Sequence, residues 1–317
     1  MSRWRFRLLN ERWRRDVCGG CGDSCVPPEK DDGKRSGYAR GHEVLVSEGQ
    51  DLPQRAPESQ FHRLTVGSLF AGIGGFDLGL ERAGFEVRWQ VEIDPFCRAV
   101  LAKHWPQVKR YEDVRTVHGW RESDCIAHSS GGCERCLPRV DVLCGGFPCQ
   151  DISVANTGPD AALGLDGARS GLWREFARLI GELRPRYVVV ENSPALVIRG
   201  LDRVLADLAA RGFDAQWTVV RASQFGARHR RERMLICAYA NGDGLQGRDG
   251  GPVPNLTVPP LGDDADWPSI SAPFGCRTAD GIPDRVDRTH ALGNAVCPQI
   301  TEWLGRRILE AEERLTA

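Results

Sequence analysis

From Leu64 onward, short apolar runs alternate with segments of helical periodicity. LTVGSLF (64–70), EVRWQVEI (86–93), RVDVLCGG (139–146), RYVVVEN (186–192) and RMLICAYA (233–240) are rich in Val, Leu, Ile and aromatic residues, which predicts buried strands. A helical pattern follows the first run through Leu80 and Glu81. Others lie in DPFCRAVLAKHW (94–105), at 171–183, at 200–211 and, as a closing amphipathic helix, at 298–313. Such alternation predicts a doubly wound, mainly parallel α/β sheet covered by helices on both faces. No internal repeat is visible.

Two stretches fall outside this rhythm. Residues 1–62 open with six Arg in the first fifteen positions and continue through CGGCGDSC, with Cys18, Cys21 and Cys25. From 26 to 60 there is too little apolar material for a core, so this extension is expected to be mostly disordered. Residues 241–283 scatter Gly, Pro and Asp among few apolar positions.

Charge narrows the picture only a little. The 317 residues carry 42 Lys and Arg against 43 Asp and Glu, so any polyanion contact must come from local clusters. Positive charge is almost all Arg, with Lys only at Lys30, Lys34, Lys103 and Lys109. No apolar run approaches the roughly 20 residues of a membrane span, and MSRWRFRLLNERWRR lacks a signal peptide's apolar centre. A soluble, cytoplasmic monomer without a membrane partner is expected. In that setting 12 Cys point to thiol, metal or catalytic roles before disulfides.

The first strand runs into Phe70, Ala71, Gly72, Ile73, Gly74 and Gly75 before a helix, the geometry of a nucleotide-type cofactor site. Glycines let the backbone approach a ligand closely, and the helix N-terminus offers free N–H groups. About twenty residues on, the second strand ends in Glu92, where an acidic side chain in doubly wound sheets accepts hydrogen bonds from ribose hydroxyls. Asp113, in YEDV, is placed to meet an adenine amino group. Many tight strand–helix turns are Gly-rich without binding anything; Glu92 at this distance gives the loop its meaning. Because the glycines depart from GxGxxG, S-adenosylmethionine suits the site better than a dinucleotide.

RVDVLCGGFPCQ places Cys149 beyond a strand's carboxyl end, the rim where open parallel sheets carry their chemistry. Pro148 fixes φ before it, and a thiol is partly thiolate at neutral pH and intrinsically nucleophilic. Isolated cysteines are more often inert core residues, the reading taken for Cys97 and Cys237. Context decides otherwise for Cys149. SLFAGIGGFDLGLERAGF, VEIDPF, GGFPCQDIS, VVVENS with FGARHRRER, and RTHALGNAVCPQI occur in this order. Together they resemble the DNA cytosine-5 methyltransferase family, from Leu64 to about Arg307.

The resemblance implies a class I, Rossmann-like methyltransferase that moves a methyl group from S-adenosylmethionine to C5 of cytosine in double-stranded DNA. A thiolate adds to C6 of a base flipped out of the duplex and an acid protonates N3, so that electron density at C5 takes the methyl. Loss of the C5 proton then expels the thiolate. The matching positions are Cys149 as nucleophile, Glu191 as acid, and Arg231 with Arg233 as donors to the exocyclic oxygen. Phe70, Ala71, Gly72, Gly74, Gly75, Glu92, Ile93, Asp113, Val114, Asn294 and Ala295 match cofactor positions, while Pro148 and Leu172 match pocket walls. His229 stands at a Gln position of the family's Gln-x-Arg-x-Arg, and Ser68 where many relatives have Asp, so neither receives a role. Read without the family, Glu191 with Asn192, Ser193 and Pro194 also makes a helix start, and RHRRER a solvated basic face.

On this basis residues 1–62 are an extension and 63–240 the cofactor-binding and catalytic domain. Residues 241–288 are a reduced target-recognition segment with Arg277, Arg285 and Arg288 as candidate DNA contacts, and 289–317 return to the catalytic domain. Within 120–138, CIAHSSGGCERC spaces Cys125, His128, Cys133 and Cys136 as C-x2-H-x4-C-x2-C, which suits a tetrahedral structural zinc; free thiols in a surface loop are the alternative. An RNA cytosine methyltransferase on the same scaffold and a catalytically silent DNA-binding protein are the rival functions. The family also implies a bacterial or phage-infected host and a cognate restriction endonuclease as partner.

Overall fold

A computed structural model describes residues 63–119, 133–148, 172–226, 230–241, 251–259, 291 and 293–316. β1 (Thr65–Leu69) leads to α1 (Gly75–Ala83), β2 (Glu86–Val91), α2 (Pro95–His104) and β3 (Lys109–Tyr111). Two very short strands, β4 (His118–Gly119) and β5 (Cys136–Leu137), precede β6 (Val142–Gly145). Then follow α3 (Leu172–Leu183), β7 (Tyr187–Asn192), α4 (Leu196–Arg199), α5 (Leu201–Ala209), β8 (Phe213–Arg221), a 3-10 turn (Ala222–Phe225), β9 (Glu232–Ala240) and α6 (Pro298–Thr316).

Seven strands form one sheet in the order β3-β2-β1-β6-β7-β9-β8, with β4 and β5 paired apart from it. Strands β3, β2, β1, β6 and β7 are parallel, and β9 runs antiparallel to both of its neighbours. Side chains alternate across the sheet. Leu143, Val188, Val190 and Ile236 join the core under α3 and α5, whereas Val142, Cys144, Val189 and Cys237 join the core under α1 and α6. Apolar residues on both faces make β6 and β7 read as unbroken hydrophobic runs, the mark of a doubly wound sheet. Among the described residues no helix is long and apolar enough to cross a membrane.

The C-terminal helix returns to the start of the chain. Gly79 of α1 faces Thr301 and the Pro298 carbonyl so closely that any side chain would collide, and the Thr301 hydroxyl donates to the Gly75 carbonyl at 3.1 Å. Residues 251–259 also lie on this face. The Gly251 N–H donates to the Ala240 carbonyl at 3.1 Å, and Leu256 and Val258 pack into the same core. These nine residues therefore pack against the sheet on its α1–α6 side.

Near the α1–α6 crossing, Asp77 is fully buried and accepts hydrogen bonds from Gln90 Nε2 (2.9 Å) and the Ser68 hydroxyl (3.2 Å). Burial pushes its carboxyl up to about 6 from 3.8, with the Gln90 and Ser68 bonds opposing. Between those values the folded acid keeps a proton that the unfolded chain has lost. Stability therefore falls as pH rises through this window, by about 3 kcal/mol once it is passed. Asp77→Asn can keep both partners without the charge. It is expected to be more stable than wild type at about pH 8 by up to that amount, and to lose the advantage below about pH 4. Urea unfolding at the two pH values checks both signs.

Candidate active site

The chain leaves β1 through strained backbone. Phe70 has φ 51°, a conformation that side chains with a Cβ rarely adopt, and Gly72 (54°) and Gly74 (86°) share the left-handed region. Such strain persists where the surroundings enforce it, often at functional sites. Here the Gly72 N–H donates to Glu92 Oε2 at 2.7 Å, while the Asp94 N–H donates to Oε1 at 2.8 Å. Burial raises the Glu92 carboxyl, and these two N–H groups oppose it. Bonds from Ala71 N–H to the Val91 carbonyl (3.1 Å) and from Glu92 N–H to the Tyr111 carbonyl (3.0 Å) keep the ends of β1, β2 and β3 in step.

Space lies in front of this loop, because a Cβ placed on Gly72 would meet nothing. Ile93 is 61% exposed at the same rim. Asp113, two residues past β3, is gripped by Arg115 through Nε (2.9 and 3.0 Å) and Nη2 (2.6 Å), which holds its carboxyl below the ordinary range. Val114 is buried in the core, and its carbonyl accepts from Arg178. Asn294 is exposed and Ala295 half-buried. The next residue, Val296, presses its carbonyl and side chain against Gly75, so the GNAV segment reaches the Gly-rich loop.

On the neighbouring strand, Gly146, Phe147 and Pro148 follow β6 toward Cys149, which lies outside the described residues, as do His229, Arg277, Arg285 and Arg288. Glu191 is buried near the end of β7. Its Oε1 is 2.6 Å from Arg233 Nε, aligned as an ion pair rather than a hydrogen bond. Its Oε2 faces Gly146, where a Cβ would sit 2.7 Å away, so a larger residue there would displace this carboxyl from the loop. Arg231 precedes Arg233 by two positions, the spacing that puts both on one side of an extended chain. Burial raises the Glu191 carboxyl, and Arg233 and then Arg231 pull it down; burial wins.

Asn192 has a different task from the helix start that its sequence context suggests. Its Nδ2 donates to the Phe147 carbonyl at 3.1 Å, tying β7 to the loop that leads to Cys149. Ser193 opens the turn that follows, its hydroxyl accepting from the Ala195 N–H at 3.4 Å and its carbonyl from the Leu196 N–H at 3.0 Å, and helix α4 itself begins at Leu196. An aromatic row, which the sequence did not single out, joins the loops after β1 and β6 through α3. Phe147 meets Trp173 at 5.5 Å, Trp173 meets Phe176 at 5.6 Å, and Phe176 meets Phe70 at 6.3 Å between ring centroids. Leu172, at the start of α3, packs against the same cluster.

Among the described cysteines, Cys297 is half-buried in the segment before α6, and the other five fall into two groups. Cys97, Cys144 and Cys237 are buried, and burial pushes the Cys237 thiol up to about 12. Cys133 and Cys136 instead gather around His118, the three ligand atoms lying within 4.8 Å of one another. Cys125 and His128 lie outside the described residues. His118 was missed because it precedes the insertion in which the ligand spacing was sought. The Cys133 thiol is held below its ordinary value, chiefly by Cys136 and then by the Arg135 N–H.

An open, strained loop after β1 and a buried carboxyl paired with Arg233 at the end of β7 lie on the strand ends of a doubly wound α/β sheet. The sequence profile of the C-5 cytosine-specific DNA methylases matches residues 64–262, more than half of the chain, and the chain belongs to that family. It is 33% identical to Type II methyltransferase M2.BsuMI of Bacillus subtilis over 183 residues, 55% of this chain and 42% of that protein. It is 32% identical to Type II methyltransferase M.Sau3AI of Staphylococcus aureus over 188 residues, 56% of this chain and 44% of that one. The chain thus spans less than half the length of these relatives. Among solved structures, a methyltransferase of Entamoeba histolytica shares 12% identity, with a TM-score of 0.45 over 59% of this chain and 56% of that one.

Proposed function

We propose that the protein methylates C5 of cytosine in double-stranded DNA, using S-adenosylmethionine and Cys149 as the nucleophile. The observation that carries this reading is Glu191, whose Oε1 is engaged by Arg233 while Oε2 faces Gly146, on the approach to Cys149. A carboxyl raised by burial retains more of the proton that N3 of cytosine needs. Protonation there draws electrons from C5=C6 as the Cys149 thiolate forms its bond to C6. C5 then becomes the nucleophile; after methylation its proton leaves to solvent base as the C6–S bond breaks, and Glu191 takes back the proton from N3. Arg231 offers its guanidinium to the exocyclic oxygen. Asn192, through the Phe147 carbonyl, positions the backbone that carries the thiol.

The residues fit the cofactor. Open space before Gly72, the left-handed loop and the Glu92 carboxylate suit a nucleoside, with Phe70, Ala71, Gly74, Gly75, Ile93, Asp113, Asn294 and Ala295 around it. S-adenosylmethionine, when bound, supplies an electrophilic methyl group on a sulfonium. Hydrogen bonds to a charged group contribute about 1.5–3 kcal/mol, so Glu92→Ala is expected to weaken cofactor affinity roughly 10- to 100-fold by calorimetry.

The base must leave the stack to be attacked face-on, at a cost of a few kcal/mol that pocket contacts offset. With residues 251–259 packed on the core, little chain is left for target recognition, and short or degenerate sites are expected. Tritium from labelled cofactor should enter DNA as 5-methylcytosine. Transfer to tRNA alone would establish the RNA enzyme instead, and transfer to neither would leave a binding protein. Genome-wide bisulfite mapping that finds one long fixed site would contradict the reduced-recognition reading.

A further inference from the structure

We infer that His118, Cys133 and Cys136 hold a structural Zn²⁺ between the cofactor rim and β6. His118 Nε2 lies 3.7 Å from Cys133 Sγ and 3.8 Å from Cys136 Sγ. Nitrogen and sulfur ligands at about 2.0 and 2.3 Å from a tetrahedral zinc stand roughly 3.5 Å apart. Both nitrogen–sulfur distances are close to that spacing, and all three atoms lie within 4.8 Å of one another.

The second ring nitrogen supports the assignment. His118 Nδ1 is 3.3 Å from the Gly119 carbonyl. A metal-ligating imidazole gives its other N–H to a carbonyl or carboxylate, which fixes the tautomer and leaves the lone pair on the metal side. The two thiols are free of disulfides and sit in one tight turn, closed by the Cys136 N–H on the Cys133 carbonyl at 3.2 Å. Two thiols gathered around one imidazole suit a metal better than a redox pair.

A fold-level reason accompanies the geometry. β4 and β5 are two residues each and pair in parallel, with His118 opposite Cys136. A two-stranded ladder is at best marginal on its own, and small units of this kind need a staple. Tyr111 donates to the Cys136 carbonyl at 2.8 Å, and Arg178 to the Val114 and Val117 carbonyls at 3.0 Å, fastening the unit to β3 and α3. The metal would thus clamp the chain between Asp113, on the cofactor rim, and the strand that leads to Cys149.

Zinc in the purified full chain, measured by plasma mass spectrometry, tests this without any assay of methyl transfer. Cys18, Cys21 and Cys25 are a second reservoir of thiols, so the readout is a difference. Wild type is expected to hold one more equivalent of zinc than His118→Ala or Cys136→Ser. X-ray absorption on wild-type protein serves if either variant fails to fold, and should show sulfur at about 2.3 Å together with nitrogen at about 2.0 Å. Equal zinc in wild type and both variants, or a wild-type shell with no nitrogen, would overturn the assignment.

Discussion

Glu191→Gln is expected to lower kcat by about 10²- to 10⁴-fold, the range that a positioned general acid contributes. The amide retains an oxygen for Arg233 and fits beside Gly146, yet it has no proton to give to N3. Stability should change far less than with Glu191→Ala, which leaves a guanidinium without its buried partner and costs about 3–5 kcal/mol. The pH dependence adds a second signature. The reacting form is the protonated acid, and burial raises its titration, so wild-type activity should decline as pH rises through that raised value. Formation of the Cys149 thiolate imposes the opposite limb. In Glu191→Gln the alkaline decline should vanish while the thiolate limb stays. Full activity in this variant would remove Glu191 from the chemistry.

Cys149→Ser carries the largest expected loss. A thiol with an ordinary value near 8.5 is a few per cent ionised at neutral pH and intrinsically nucleophilic, whereas a hydroxyl without a base beside it is neither. Loss of a nucleophile acting as part of a unit costs far more than loss of a positioning contact, so turnover should fall by about 10⁴-fold or more. Cofactor binding should persist, because the substitution changes a single atom and leaves Glu92 and the Phe70–Gly75 loop intact. Calorimetry with S-adenosylmethionine separates this outcome from misfolding.

Much of this architecture is legible in the chain because of where its strands sit. β1, β6 and β7 are apolar on both faces, and each ends at a residue or loop with visible chemistry. β8 is an edge strand that leaves Trp217 and Val219 exposed, so FDAQWTVVR lacks a hydrophobic run and no strand was expected there. β3, β4 and β5 are too short to show periodicity. Asn192 illustrates a different limit. Asn-Ser-Pro is locally sound chemistry for starting a helix, and Ser193 does open the turn into α4, but nothing local signals that Asn192, in β7, pairs with Met234 and bonds the Phe147 carbonyl. His118 shows the same limit from the other side. Ligand spacing rules look along the chain, whereas the β4–β5 pairing brings His118 to Cys136 across eighteen positions. The aromatic row from Phe70 to Phe147 draws on three segments and carries no local signal.

The central claim is a covalent bond between one sulfur and C6 of an extruded cytosine. Duplex DNA carrying 5-fluorocytosine tests it directly, since fluorine at C5 cannot leave as a proton and the adduct cannot resolve. With S-adenosylmethionine present, wild-type protein should form a denaturation-resistant complex whose cross-linked peptide maps to Cys149, and Cys149→Ser should form none. A complex mapped to any other residue, or efficient methylation of ordinary DNA with no trapped species, would contradict the account.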